Sequence, residues 1–120
     1  MLRVDTRPRK RNAPRPAWKV AKSFHQWLRG RPCAADGYGL CEGVMQAAHV
    51  DHGGDKGMST KASDRFAIPL CAGHHARQHN RGWQTFESEC LGGKPATALA
   101  DAYWHAWPGR AEWERENARG

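Results

Sequence analysis

The sequence predicts an α+β fold, in which two short strands and a helix are stapled by a zinc-type metal site. Further helices flank that core, and a disordered basic arm precedes it. Three observations carry this expectation. Cys71-Ala72-Gly73-His74 falls where an apolar run, 66–70, gives way to a polar stretch at helical spacing. Cys33 and Cys41 sit on a glycine-containing segment upstream, where they can supply a second ligand pair. Ten of the 19 Lys and Arg residues lie between Arg3 and Arg31, opposed there only by Asp5.

The 120 residues suffice for one domain with tails. Hydrophobic residues make up 39% and charged residues 26%, which allows a small core of the kind that often gains stability from a metal or disulfides. No apolar run approaches the roughly 18 residues that span a bilayer, so no membrane partner is expected. The amino terminus has basic residues with no apolar stretch behind them, unlike a secretory signal, and its prolines spoil an amphipathic transit helix. The chain is therefore expected to be cytoplasmic. In a reducing compartment, cysteines placed near histidines more often hold a metal than pair as disulfides.

Residues 1–17, rich in Arg and Pro, read as a disordered arm. Together with the net charge of +7, the arm attracts polyanions without reading sequence, although a solvated tail would look the same. Residues 18–90 form the expected domain. Val20, Phe24, Trp27 and Leu28 mark an amphipathic helix that stops at Gly30 and Pro32. Residues 33–43 are a loop with three glycines, 44–50 a strand, and 51–64 a polar loop. A second strand, 66–70, carries Pro69 at an edge or an end, and residues 73–81 form a helix. Residues 91–120 are a helical extension packing on the domain. Pro95 suits its first turn, and Ala96, Leu99, Ala100, Tyr103 and Trp107 share one face. Trp104, Trp107 and Trp113 read as packing residues rather than base-stacking platforms.

Cys33, Cys41, Cys71 and His74 would together make a closed tetrahedral Cys3His site. The alternative is that the cysteines are small buried hydrophobes. Cys90 has no partner at ligand spacing. His75 and His79, four apart, share a helix face and can chelate a second metal. His74, about 100° around from His75, points elsewhere. Without context, His75 and His79 would read as a solvated helix face. His49, at the end of the first strand, supplies that context.

The stretches RGRPC at 29–33, AAHV at 47–50, GMSTKASDRFAIPLCAGHH at 57–75 and QH at 78–79 occur in order. As a set they resemble the HNH, or ββα-metal, nuclease superfamily, and in particular its small, often prophage-encoded members. The resemblance covers roughly residues 23–87. It implies a metal-dependent endonuclease, with DNA the favoured substrate, leaving a 5′-phosphate and a 3′-hydroxyl. It places the general base on His49 and the catalytic metal on His75, with His79 as second ligand. Zinc falls to Cys33, Cys41 and Cys71, with His74 in place of the usual fourth cysteine, and Asp64 takes the orienting position. Two imidazoles suit Zn, Ni or Mn, while the family allows Mg. Arg9, Lys10 and Arg11 of the arm, with Arg29 and Arg31, would hold phosphates. A recombination or phage protein partner is compatible with the resemblance. One departure stands out. Many family members carry Asp or His before the base as a metal ligand, and this chain has Ala48, which leaves His49 itself, Asp51 or His52 as substitutes. The alternatives are a non-catalytic zinc-stabilised nucleic-acid-binding accessory protein, or a different metal-dependent hydrolase or zinc sensor.

Overall fold

The computed structural model describes residues 20–50 and 63–117. Arg9, Lys10 and Arg11 of the expected arm, and Asp51 and His52, lie outside the described residues. The element order is α1 (Lys22–Arg29), β1 (Met45–His49), β2 (Ala67–Cys71), α2 (Ala72–Arg81), α3 (Trp83–Cys90), α4 (Ala96–Ala106) and α5 (Arg110–Asn117). The architecture is α+β, with β1 and β2 forming an antiparallel pair in which Ala47 stands opposite Pro69 and His49 opposite Ala67. Among the described residues, no helix is long and apolar enough to cross a membrane.

β2 is buried at all five positions, so its sequence is apolar throughout rather than alternating. Pro69 has no N–H for a ladder, and its carbonyl instead accepts from the Ala34 backbone N–H (2.8 Å). The loop after α1 thereby covers the outer edge of β2, as the proline anticipated.

Two apolar clusters flank this hairpin. One gathers Ala48, Val50, Ile68 and Leu70 with Trp83, Phe86, Cys90, Ala96 and Ala100. The other gathers Phe24, Leu28 and Ala67 with Trp104 and Trp107. Successive strand residues alternate faces, so Ala48 and Val50 enter the first cluster while Ala47 packs against the second. Helix α4 serves both, giving Ala96 and Ala100 to the first and Trp104 to the second. The tryptophans pack, as expected. Trp104 lies edge-on to Phe24 (5.0 Å between centroids) and to Trp113 (5.1 Å), and Trp113 Nε1 donates to the Val20 carbonyl (2.9 Å).

Candidate metal centre and histidine site

The loop 33–44 is drawn onto the start of α2 by two backbone hydrogen bonds, Ala72 N–H to Val44 O and Gly73 N–H to Glu42 O, both 2.9 Å. This close approach requires glycine at 43. Its φ is +79°, and a Cβ there would lie 2.7 Å from the Ala72 Cβ. Docking the loop brings Cys33 and Cys41 to Cys71, the N-cap of α2, whose sulfur accepts from the His74 backbone N–H. His74 Nδ1 stands 3.5 Å from Cys33 Sγ, 3.7 Å from Cys41 Sγ and 3.2 Å from Cys71 Sγ. A tetrahedral zinc with bonds of about 2.3 Å to sulfur and 2.05 Å to nitrogen sets an S···N edge of about 3.6 Å. The four ligand atoms all lie within 4.8 Å of one another, so the cluster is compatible with a structural zinc.

Chemistry around the cluster points the same way. The His74 Nε2–H donates to the Tyr38 carbonyl (3.1 Å), which fixes the tautomer that turns the Nδ1 lone pair toward the sulfurs. Burial works against the Cys71 thiolate. Hydrogen bonds, led by those from the backbone of His74 and Glu42, outweigh it, bringing Cys71 down to about 6. Burial pushes the Cys33 thiol up. Three sulfurs this close ionise together only around a cation.

A second group of side chains lies at the other end of β1. Asp64, buried just ahead of β2, ties three elements together. Its Oδ2 accepts from the Ala21 backbone N–H (2.8 Å), its Oδ1 from His49 Nε2 (3.0 Å), and its carbonyl from His25 Nε2 (2.9 Å). His49 is about one-third exposed, whereas the Asp64 side chain is 6% exposed. The His25 and His49 rings lie 5.0 Å apart, nearly perpendicular. Burial, only partly opposed by the Asp64 charge, lowers His25 from its ordinary value.

His75 and His79 share one face of α2, with ring centroids 4.8 Å apart. The His75 Nδ1–H donates to Gln46 Oε1 (2.7 Å), which leaves the lone pair on Nε2. Burial first, then the charges of His79 and His49, lower His75. The His49 and His75 imidazoles are therefore within electrostatic reach of each other. Ala48 is fully buried in the first cluster, so its position faces the core. Arg29 ends α1, exposed, and the Arg31 guanidinium lies over the Trp27 ring (5.0 Å).

All four expected zinc ligands thus come together, as do His49 and Asp64, and His75 and His79. Sequence reading missed two participants, His25 and Gln46. Gln46 alternates with Ala48 on the α2 face of β1, a signal the strand period offered. His25 offered none, because its partner Asp64 is 39 residues away.

The fold and these clusters define a small α+β protein with a zinc-compatible Cys3His centre and a separate histidine–carboxylate group. The family profile described as "Protein of unknown function (DUF968)" matches residues 2–100, and the chain belongs to that family. It is also 35% identical over 60 residues to the "Uncharacterized protein YdfU" of Escherichia coli (strain K12). That match spans 50% of this chain and 16% of the relative, so the chain corresponds to a small part of that protein. No solved structure matches the chain.

Proposed function

We propose that the chain is a metal-dependent endonuclease of the HNH type, hydrolysing phosphodiester bonds of nucleic acid, with DNA favoured. The observation that carries this reading is the 3.0 Å pairing of His49 Nε2 with the buried Asp64 carboxylate. A carboxylate accepts, so the imidazole proton is held on Nε2 and Nδ1 keeps its lone pair. A neutral imidazole with a free lone pair can take a proton from an attacking water. His49 Nδ1 is the proposed base, and Asp64 sets its tautomer and direction.

His75 and His79 would hold a divalent ion, with Gln46 orienting His75. Such an ion, when bound, supplies charge stabilisation for the phosphate and the leaving oxygen. His49 takes the proton of the attacking water as the P–O bond to the 3′-oxygen breaks, leaving a 5′-phosphate and a 3′-hydroxyl. Arg29 and Arg31, with Arg9, Lys10 and Arg11 of the arm, would contact phosphates without reading bases. The Cys33, Cys41, Cys71 and His74 cluster has no open position for substrate. Its proposed role is to fix the loop against α2.

A second reading, a non-catalytic nucleic-acid-binding accessory in recombination or replication, is favoured by one observation. Position 48, beside the proposed base, is an alanine buried in the core, so that position offers no metal ligand.

The deciding experiment is cleavage of supercoiled plasmid and single-stranded DNA with added Mg, Mn or Ni, beside His49→Ala and His75→Ala. Metal-dependent nicking lost in both variants supports the nuclease. DNA binding without cleavage by the unaltered protein overturns it in favour of the accessory.

A further inference from the structure

We propose that His25, His49 and the Asp64 carboxylate form a third metal site, one selective for transition metals, and that filling it disables His49 as a base. The metal-binding half stands on geometry alone, whereas the disabling half rests on the nuclease reading above.

The three ligands come from separate elements: α1, the end of β1, and the segment leading into β2. Their donor atoms all lie within 4.8 Å of one another. Asp64 Oδ1 is 3.0 Å from His49 Nε2 and 3.8 Å from His25 Nε2. A tetrahedral ion with bonds of about 2.0–2.1 Å to nitrogen and oxygen needs donor–donor edges of about 3.3 Å. The observed pair of distances straddles that value, and a small rotation of His25 away from the Asp64 carbonyl would even them. Two imidazoles and one carboxylate select Zn(II), Co(II) or Ni(II) over Mg(II), which prefers oxygen. Three protein ligands leave the fourth position of a tetrahedral ion for water. Such a cage is chemically unlike the cysteine cluster, with no sulfur and one open side.

The consequence follows from a single atom. Asp64 and the metal both claim His49 Nε2. When Nε2 gives its lone pair to a metal, its proton passes to solvent and Nδ1 takes one from solvent, so the ring stays neutral and carries its single proton on Nδ1. Nδ1 then has no lone pair with which to accept a proton from water. One ion at this site would therefore turn the base off without touching His75 or His79.

The test starts from protein carrying one equivalent of zinc, with protection of its thiols from modification showing that the cysteine cluster is filled. Co(II) is then titrated and its visible ligand-field absorption followed. The expected result is a sulfur-free tetrahedral spectrum, retained in the His75→Ala/His79→Ala double variant. It should be lost in His25→Gln and Asp64→Asn, with near-ultraviolet circular dichroism reporting folding. His49→Ala, at a partly exposed side chain, serves if the buried variants unfold. Absorption that survives the His25, His49 and Asp64 changes, or that depends on His75 and His79, overturns the site. In the cleavage arm, zinc beyond the first equivalent should slow Mg-supported nicking at least tenfold in the unaltered protein. The slowing, read as a ratio within each protein, should be under twofold in His25→Gln. Equal slowing in both overturns the switch. Co(II) binding as expected with no cleavage under any condition leaves the metal site standing and removes the nuclease reading alone.

Discussion

The two ends of the β1–β2 hairpin hold clusters of potential metal ligands in opposite styles. At the Cys71 end, four ligands converge from a docked loop and a helix start, and the His74 ring is locked from behind by the Tyr38 carbonyl. At the His49 end, ligands are fewer, one is a third exposed, and Asp64 is shared among Ala21, His25 and His49. A closed ligand set holds an ion for stability. An incomplete one leaves room for water and for proton transfer. On the proposed reading, the difference separates where this chain would keep its stability from where it would do chemistry.

The largest expected effect breaks the closed end. Chelation, or Cys71→Ala, removes an ion whose binding in small zinc domains is worth on the order of 10 kcal/mol. The expected outcome is loss of cooperative thermal unfolding, followed by tryptophan fluorescence, with recovery on adding zinc only for the chelated protein. A cooperative transition that survives chelation unchanged would show that the apolar clusters stabilise the fold by themselves.

The open end should respond differently. Asp64→Asn keeps the shape but weakens acceptance from the Ala21 N–H and removes the fixed tautomer of His49. A loss of about 1–3 kcal/mol is expected from the buried hydrogen bonds, and roughly a tenfold or greater loss of cleavage as the base is misoriented. His49→Ala should cost cleavage by about 10²–10⁴-fold with little change in melting temperature, since its side chain is part exposed. A variant pair that loses stability and cleavage in strict proportion would argue that this end is structural as well.

Much of this contrast was legible in the sequence, and the reasons are physical. Cys71-x2-His74 is local, so its geometry follows from the strand-to-helix turn, and the apolar run before it announced β2. Cys33 and Cys41 could be assigned because few other thiols were available. Helix α3 was not singled out, although Trp83, Phe86 and Cys90 are spaced for one face, because Gly82 and Gly92 enclose so short a segment. α4 was read as presenting one apolar face. Trp104, expected to pack, follows Ala100 by one turn and widens that face, because α4 is wedged between two clusters instead of lying on one. His25 was invisible for a different reason. A single histidine on an amphipathic helix has no periodic signature, and its meaning depends on Asp64, whose position only the folded chain decides.

A smaller effect sharpens the contrast at the docked loop. Gly43→Ala must adopt a φ of +79° and press a methyl onto the Ala72 Cβ. A cost of about 1–3 kcal/mol is expected, together with weaker zinc retention in a competition with a colorimetric chelator. His25 and Asp64, at the other end of the strand, should keep their Co(II) spectrum. If both sites weaken together, the hairpin couples them.

The smallest expected effect is a pH dependence at the open end, and its sign follows from His25. Burial lowers His25 from its ordinary value, despite the nearby Asp64 carboxylate. The unfolded chain therefore binds a proton at this residue at a higher pH than the folded one. Below about 6.5 the unfolded state carries the extra proton, so stability falls as pH drops from about 7, until the lowered folded value is reached. Protonation of the cysteine ligands adds a slope of the same sign, so the informative quantity is a difference. Urea unfolding between pH 7.5 and about 5, with one equivalent of zinc to fill the cysteine cluster, should give a shallower slope for His25→Gln than for the unaltered protein. A steeper slope in the variant would mean that Asp64 wins over burial and holds His25 charged. His25 would then be an ion-pair partner that raises stability in acid, and a poorer ligand for a metal.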